Sequence, residues 1–167
     1  FHSSRFDART NEKGEIVLYD EQDETKWNQE LIIQGTYFLN QASTGDEITK
    51  YHLEAGIAYW HTQKEDTDEK WDNILQLYNS LLILEYSPMA ALNRTFALAK
   101  VHGKELAIQE AEKLKLEDSH FYFSLLGHLY TDFDNHKALA HFKDALKLAK
   151  LDADKTTITR NIEKLVF

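Results

Sequence analysis

An all-α fold of about eight helices is predicted by three observations on the 167 residues. Turn formers are scarce, with one Pro and six Gly, whereas a chain of many short strands would need more of them. Apolar residues recur at spacings of three and four along most of the length. Capping signals punctuate that pattern. At Ser87-Pro88 a Ser can cap a helix whose first position takes Pro, and at His102-Gly103 the Gly suits a left-handed cap.

Taken in order, Phe1 to Ala8 reads as the last turns of a helix, and Thr10 to Gly14 as a turn in which Gly14 can adopt positive φ. Ile16 to Tyr19 is a short apolar run, either extended or irregular. The acidic residues Asp20 to Glu24 favour the positive end of a helix dipole, and a helix is expected over about 25–41. Trp27, Leu31, Gly35 and Phe38 or Leu39 would share its apolar face. Ser43-Thr44-Gly45 breaks the chain before a helix over about 46–61, with Leu53, Ile57 and Trp60 on one side. A polar loop, 62–67, leads to a third helix over 68–85. The Ser87-Pro88 helix follows, then helices over about 104–114, 119–132, 135–150 and 153–165.

An internal repeat runs through the second half. Ile74, Tyr78 and Leu81 stand at spacings of four and three, as do Ala107, Ala111 and Leu114, and again Ala138, Phe142 and Ala145. The offsets between the sets, 33 and 31 residues, lie close to the tetratricopeptide period of about 34. The last unit carries the fullest pattern: Phe123, Leu126, Gly127 and Tyr130, then Ala138, Phe142 and Ala145. Gly127 would let the paired helix approach, and Phe142 would fill the gap between helices. The expected architecture is therefore antiparallel helix pairs stacked as a tetratricopeptide-like right-handed superhelix. One domain, 1–167, would comprise a front section, 1–61, with a turn and two helices, and the repeats over 62–167.

Composition narrows the function classes. A net charge of -9 argues against gripping nucleic acid, which needs clustered Lys and Arg. The absence of cysteine removes disulfide frameworks and thiolate metal sites, and a reducing cytoplasm is the simplest home. No apolar run approaches the roughly 18 residues of a membrane span, and no secretory signal opens the chain. The first residue is Phe1, so an amino-terminal part is expected to be missing. No phosphate loop, nucleophile elbow, dinucleotide fingerprint or zinc-binding His pair occurs. No catalytic, cofactor-binding or metal-binding residue is therefore assigned, and no enzyme activity is expected.

Two polar elements stand out as interaction or structural candidates. Arg5, Asp7 and Arg9 alternate before the turn, and Asn93-Arg94 lies within two turns of the Ser87-Pro88 start. Such groups are either buried and paired or line a binding face. Asp23, Trp27 and His61 join them as members of the motif set below.

In order along the chain stand Arg5-Phe-Asp-Ala-Arg9, Gly14-Glu-Ile-Val-Leu18, Asp20-Glu-Gln-Asp23, Trp27, Ala58-Tyr-Trp-His61, Ile74-Leu-Gln-Leu-Tyr78, Ser87-Pro88, Ala91-Leu-Asn-Arg94 and His102-Gly103. With the repeat that follows, this set resembles the carboxy-terminal extension of one group of bacterial extracytoplasmic-function (ECF) RNA polymerase sigma factors. The resemblance covers nearly the whole chain. It implies a built-in regulator of transcription initiation, with no catalytic site. Its partners would be the sigma-2 and sigma-4 domains of the same polypeptide and core RNA polymerase. Promoter-reading helices would lie upstream of Phe1, so this part would not bind DNA by itself. A freestanding scaffold holding a peptide in its concave groove, and an enzyme or small-ligand sensor, are the alternatives.

Overall fold

Side-chain caps decide where the helices start. The computed structural model describes residues 1–12, 14, 16–45 and 47–165. Among them, Asn28, Thr67, Ser87, Ser119 and Asp134 each accept a hydrogen bond from the backbone N–H three residues on, at 3.0–3.4 Å. They open α1 (Gln29–Ala42), α3 (Asp68–Leu84), α4 (Pro88–His102), α6 (His120–Tyr130) and α7 (Asn135–Leu148). The helix α2 (Lys50–Trp60) begins at a capping box in which the Thr49 N–H donates to His52 Nδ1 at 3.1 Å. Asp46, the expected first residue of that helix, lies outside the described residues, as do Lys13 of the expected turn and Glu15 of the Gly14–Leu18 motif. Two further helices, α5 (Lys104–Leu114) and α8 (Asp152–Lys164), complete the set. Gly103, at φ 90°, forms the joint between α4 and α5.

The front section departs from expectation. Ser3–Ala8 is a 3-10 helix, not the end of an α-helix. The helix expected from residue 25 starts four residues later. Asp23 accepts from the Thr25 N–H at 3.0 Å and caps a separate 3-10 turn, Glu24–Lys26, before Asn28 caps α1. The two caps in succession take Trp27 off the helix and into the core, where it is 4% exposed. The apolar face expected on α1 does not pack inward. None of its residues is buried, and Leu31 and Phe38 are exposed. Gly35 is half-buried and makes a close approach: a Cβ there would stand 2.9 Å from the Phe1 ring. Ile16 adopts the extended alternative and forms an isolated antiparallel bridge with Thr10.

From α2 onward each helix packs on the next, and α4 also touches α6, so the first helices of the last two pairs are neighbours. The pairs are α2–α3, α4–α5 and α6–α7, with α8 against α7. The spacing triplets fall on α3, α5 and α7. Ile74, Tyr78, Leu81, Ala107, Ala111, Leu126, Tyr130, Ala138, Phe142 and Ala145 are all buried in one core, with Leu114 half-buried against it. Small residues at 107, 111, 138 and 145 allow close helix approach, and burial of the aromatics between them supplies the stabilising area.

Gly127 is the tightest of these contacts. A Cβ on it would lie 2.6 Å from two atoms of the Phe142 ring. Gly127→Ala gains up to ~1 kcal/mol of helix propensity but overpacks a core that has no room to shift. A net loss of about 1–3 kcal/mol is expected in urea unfolding. Gly45→Ala, where nothing lies within 4 Å, should change stability by less than about 0.5 kcal/mol.

Candidate functional site

The face lined by α4, α6 and α8 is where a tetratricopeptide-like fold would receive a peptide. Here the chain's own Ile16–Gln22 segment crosses it as a strap. Its start is held by the Val17 N–H donating to the Arg9 carbonyl at 2.8 Å. Its far side is held by α8. The Ile16 carbonyl accepts from Thr157 Oγ1 and from Arg160, each at 3.4 Å. Glu21 pairs with Arg160 at 2.9 Å and with Lys164. Between them, Leu18, Tyr19 and Asp20 face Phe96, Lys100, His128 and Leu129 of α4 and α6 across a cavity of about 460 Å3. Asp20 lies 3.8 Å from Lys100.

Tyr19 is the centre of the strap. Its hydroxyl accepts from Lys70 Nζ at 2.8 Å and donates to the His61 carbonyl at 3.3 Å. Its ring has Arg5 Cζ at 5.3 Å and Lys70 Nζ at 5.2 Å, both within cation–π range. The His61 and Trp71 rings meet it edge-on, at 4.9 and 6.3 Å between centroids. Arg5 Cζ also lies over the Trp27 ring, at 5.9 Å. Lys70 is 2% exposed and donates also to the Gln63 carbonyl at 2.9 Å. Burial pushes the Tyr19 phenol up to about 12. Burial, with Arg5 and Lys70 adding positive charge, pushes His61 down to about 3. The cluster therefore holds two buried cations and a neutral imidazole around one phenol.

The candidates named from the sequence divide. Arg5, Trp27 and His61 meet at the Tyr19 cluster, and Arg9 holds the strap through its carbonyl and His2 Nδ1 through its guanidinium at 3.1 Å. Asp7 is exposed and makes no ion pair among the described residues, so the alternating Arg5, Asp7 and Arg9 are not a paired set. The six-residue 3-10 helix separates them: Arg5 points inward and Asp7 outward. Asp23 is a cap. Asn93 is exposed at a cavity rim, while Arg94 donates to Asn79 at 2.5 Å, a local structural bond. Lys70, Tyr19, Glu21, Arg160 and Lys164 were not singled out. Lys70 could have been, since it falls four residues before Ile74 on the stripe that continues to Tyr78. Nothing in the pattern joins Glu21 to residues about 140 positions away.

A second surface feature lies on the outside of the front section. Ile33, Tyr37 and Phe38 of α1 are 58–68% exposed, and Phe6, Ile48 and Tyr51 are similarly open. Large apolar side chains gathered on one exposed helix mark interaction surfaces. Among the described residues no group of three or more His, Asp or Glu could hold a metal, and no helix is long and apolar enough to cross a membrane.

Residues 1–43 match a family of unknown function (DUF6596). The whole chain is similar to an uncharacterized protein of Rhizobium meliloti (strain 1021), with 29% identity over 166 residues. The alignment covers 97% of this chain and 39% of that protein, so the chain spans about two fifths of the relative's length. No solved structure matches.

Two measurements check the site. With His61 held near 3 when folded and near 6.5 unfolded, only the unfolded chain takes up this proton between those values. Its contribution to stability is complete above about pH 6.5 and falls by roughly 1 kcal/mol per unit on acidification towards 3. Chemical denaturation of wild type and His61→Gln across that range should show a shallower acid slope in the variant. Glu21 also shifts downward, but through partners that favour its charged form and not through burial. Its hydrogen bond from Lys164, helped by the Arg160 charge, holds its carboxyl below the usual range despite partial burial. That stability is present above about pH 4 and is lost as pH falls through the folded value. Glu21→Gln should therefore lower the melting temperature at pH 7, and the gap from wild type should close below about pH 4.

Proposed function

We propose that this chain is the carboxy-terminal regulatory and protein-interaction domain of an ECF-type RNA polymerase sigma factor. It modulates transcription initiation through protein contacts and carries no catalysis. The observation that carries the reading is the ordered motif set around Arg5, Trp27, His61 and Arg94, which resembles the carboxy-terminal extension of ECF sigma factors. The all-helical repeat architecture supports it. So does the relative's length, which leaves room for further domains in that protein.

The apolar face of α1 is the contact surface. It lies within the matched stretch, its side chains Ile33, Tyr37 and Phe38 are exposed, and the repeat core does not use it. Its partners are the sigma-2 and sigma-4 domains of the same polypeptide and the polymerase core, in the cytoplasm. The net charge of -9 fits protein contacts rather than DNA contacts for this domain. A freestanding peptide-binding scaffold is the less favoured reading, because the strap occupies the face a peptide would use.

Promoter-specific transcription in vitro tests the proposal. The full polypeptide, a version ending before Phe1, and a full-length Ile33→Glu/Phe38→Glu variant would each be assayed with core polymerase. Truncation should change transcript yield at least several-fold, and the double variant should reproduce the change with helical content intact. Equal yield from full-length and truncated proteins would end the regulatory reading. An open reading frame with no sigma-like domains before Phe1 would end it too.

A further inference from the structure

Under the strap, against α3 and α4, lies a cavity of about 320 Å3, within the size range of small-ligand sites. Among the described residues, its lining holds two charged side chains, Arg5 and Arg9, and no carboxylate. Arg5 is 6% exposed and its side chain makes no ion pair or hydrogen bond among the described residues; its Nε is buried without a partner. Arg5 Cζ lies over the Tyr19 and Trp27 rings, contacts that engage the charge and leave its N–H donors without hydrogen-bond acceptors. His61 Nδ1 and Gln22 Oε1, also on this lining, are buried and unpartnered. The larger neighbouring cavity, about 560 Å3, shares Arg5 and His61, but its lining carries two carboxylates, Glu54 and Glu85, the latter paired with Lys50.

We propose that the smaller cavity binds a small organic anion, a carboxylate on a flat unsaturated body. A buried guanidinium without a counter-charge is a strong site for a carboxylate, which it can grip through two parallel hydrogen bonds. The remaining walls include the rings of Tyr19, Trp71, Tyr78 and Phe96, which suit a planar apolar body. Ile16 and Val17 of the strap form one side, so an occupied cavity would hold the strap closed. This inference stands independently of the transcriptional reading, because it uses only the geometry around Arg5.

The 167-residue chain would be titrated with benzoate, with its neutral analogue benzamide, and with inorganic phosphate. Calorimetry and the fluorescence of Trp27 and Trp71 would report binding. Benzoate should saturate a single site in the millimolar range or tighter, with benzamide and phosphate at least about tenfold weaker. Arg5→Met should weaken benzoate by at least about tenfold. As that variant removes a buried stack, Asn93→Asp provides an independent check. It places a carboxylate at the exposed rim, should leave the circular dichroism unchanged, and should cause a similar loss. Absence of saturable benzoate binding overturns the proposal, as does equal binding of benzamide. Unaltered benzoate binding by folded Arg5→Met or by Asn93→Asp overturns it as well. Phosphate binding as tightly as benzoate would overturn the flat-body specificity.

Discussion

Two cations, Arg5 and Lys70, are buried in this fold without an ion pair to a carboxylate among the described residues, and the Tyr19 ring lies between them. Removing an ion from water costs several kcal/mol even after relaxation. The surroundings must offset that cost through π faces, the Tyr19 oxygen and the Gln63 carbonyl. The cations and their partners come from five separate stretches: the first 3-10 helix, the strap, Trp27 before α1, the loop after α2 and the start of α3. None can move alone without exposing a charge to an unmatched environment. The first 3-10 helix and the strap are thereby joined to the repeats through one polar and aromatic cluster, whereas α2 joins them through Leu53 and Ile57 in the shared apolar core.

The repeat half follows a different rule, that of close helix approach. Where the second helix carries a bulky residue at the central position, the first helix must recede or lose its side chain. Gly127 opposite Phe142 is the second solution. In the middle pair Ala111 takes that position and the first helix keeps Thr95 and Phe96. Gly56 of α2, whose Cβ would stand 3.2 Å from Leu77, repeats the glycine solution in the first pair with a shifted partner. The stack that results has one face crossed by its own chain. The ion pairs of Glu21 are partly exposed and each contributes little alone. Their effect is to fix the far end of a strap already anchored at Tyr19.

Much of this was legible in the sequence. Helices α3 to α8 lie within about two residues of expectation, because Ser87-Pro88, Gly103 and the four-and-three spacing are local signals. The repeat core was legible for the same reason. The front section was not. Trp27 and Leu31 share a helical spacing, but the caps at Asp23 and Asn28 place them on separate elements. The apolar positions of α1 signalled amphipathicity correctly, and what they could not signal was that the face stays open. At the candidate site, Arg5 and His61 were visible as members of a motif. Their meeting point, Tyr19, was hidden in a short apolar run, since contacts across 42 and 51 residues leave no periodic trace.

If the strap is a fixed part of the fold, its backbone must be protected together with the helices it crosses. Hydrogen–deuterium exchange of the intact chain measures this directly, peptide by peptide. The account predicts that the segment Ile16–Gln22 exchanges slowly, with protection lost in parallel with α4 and α8 as denaturant is raised. Exchange of that segment at the rate of an unstructured peptide, while α4 and α8 remain protected, would contradict it.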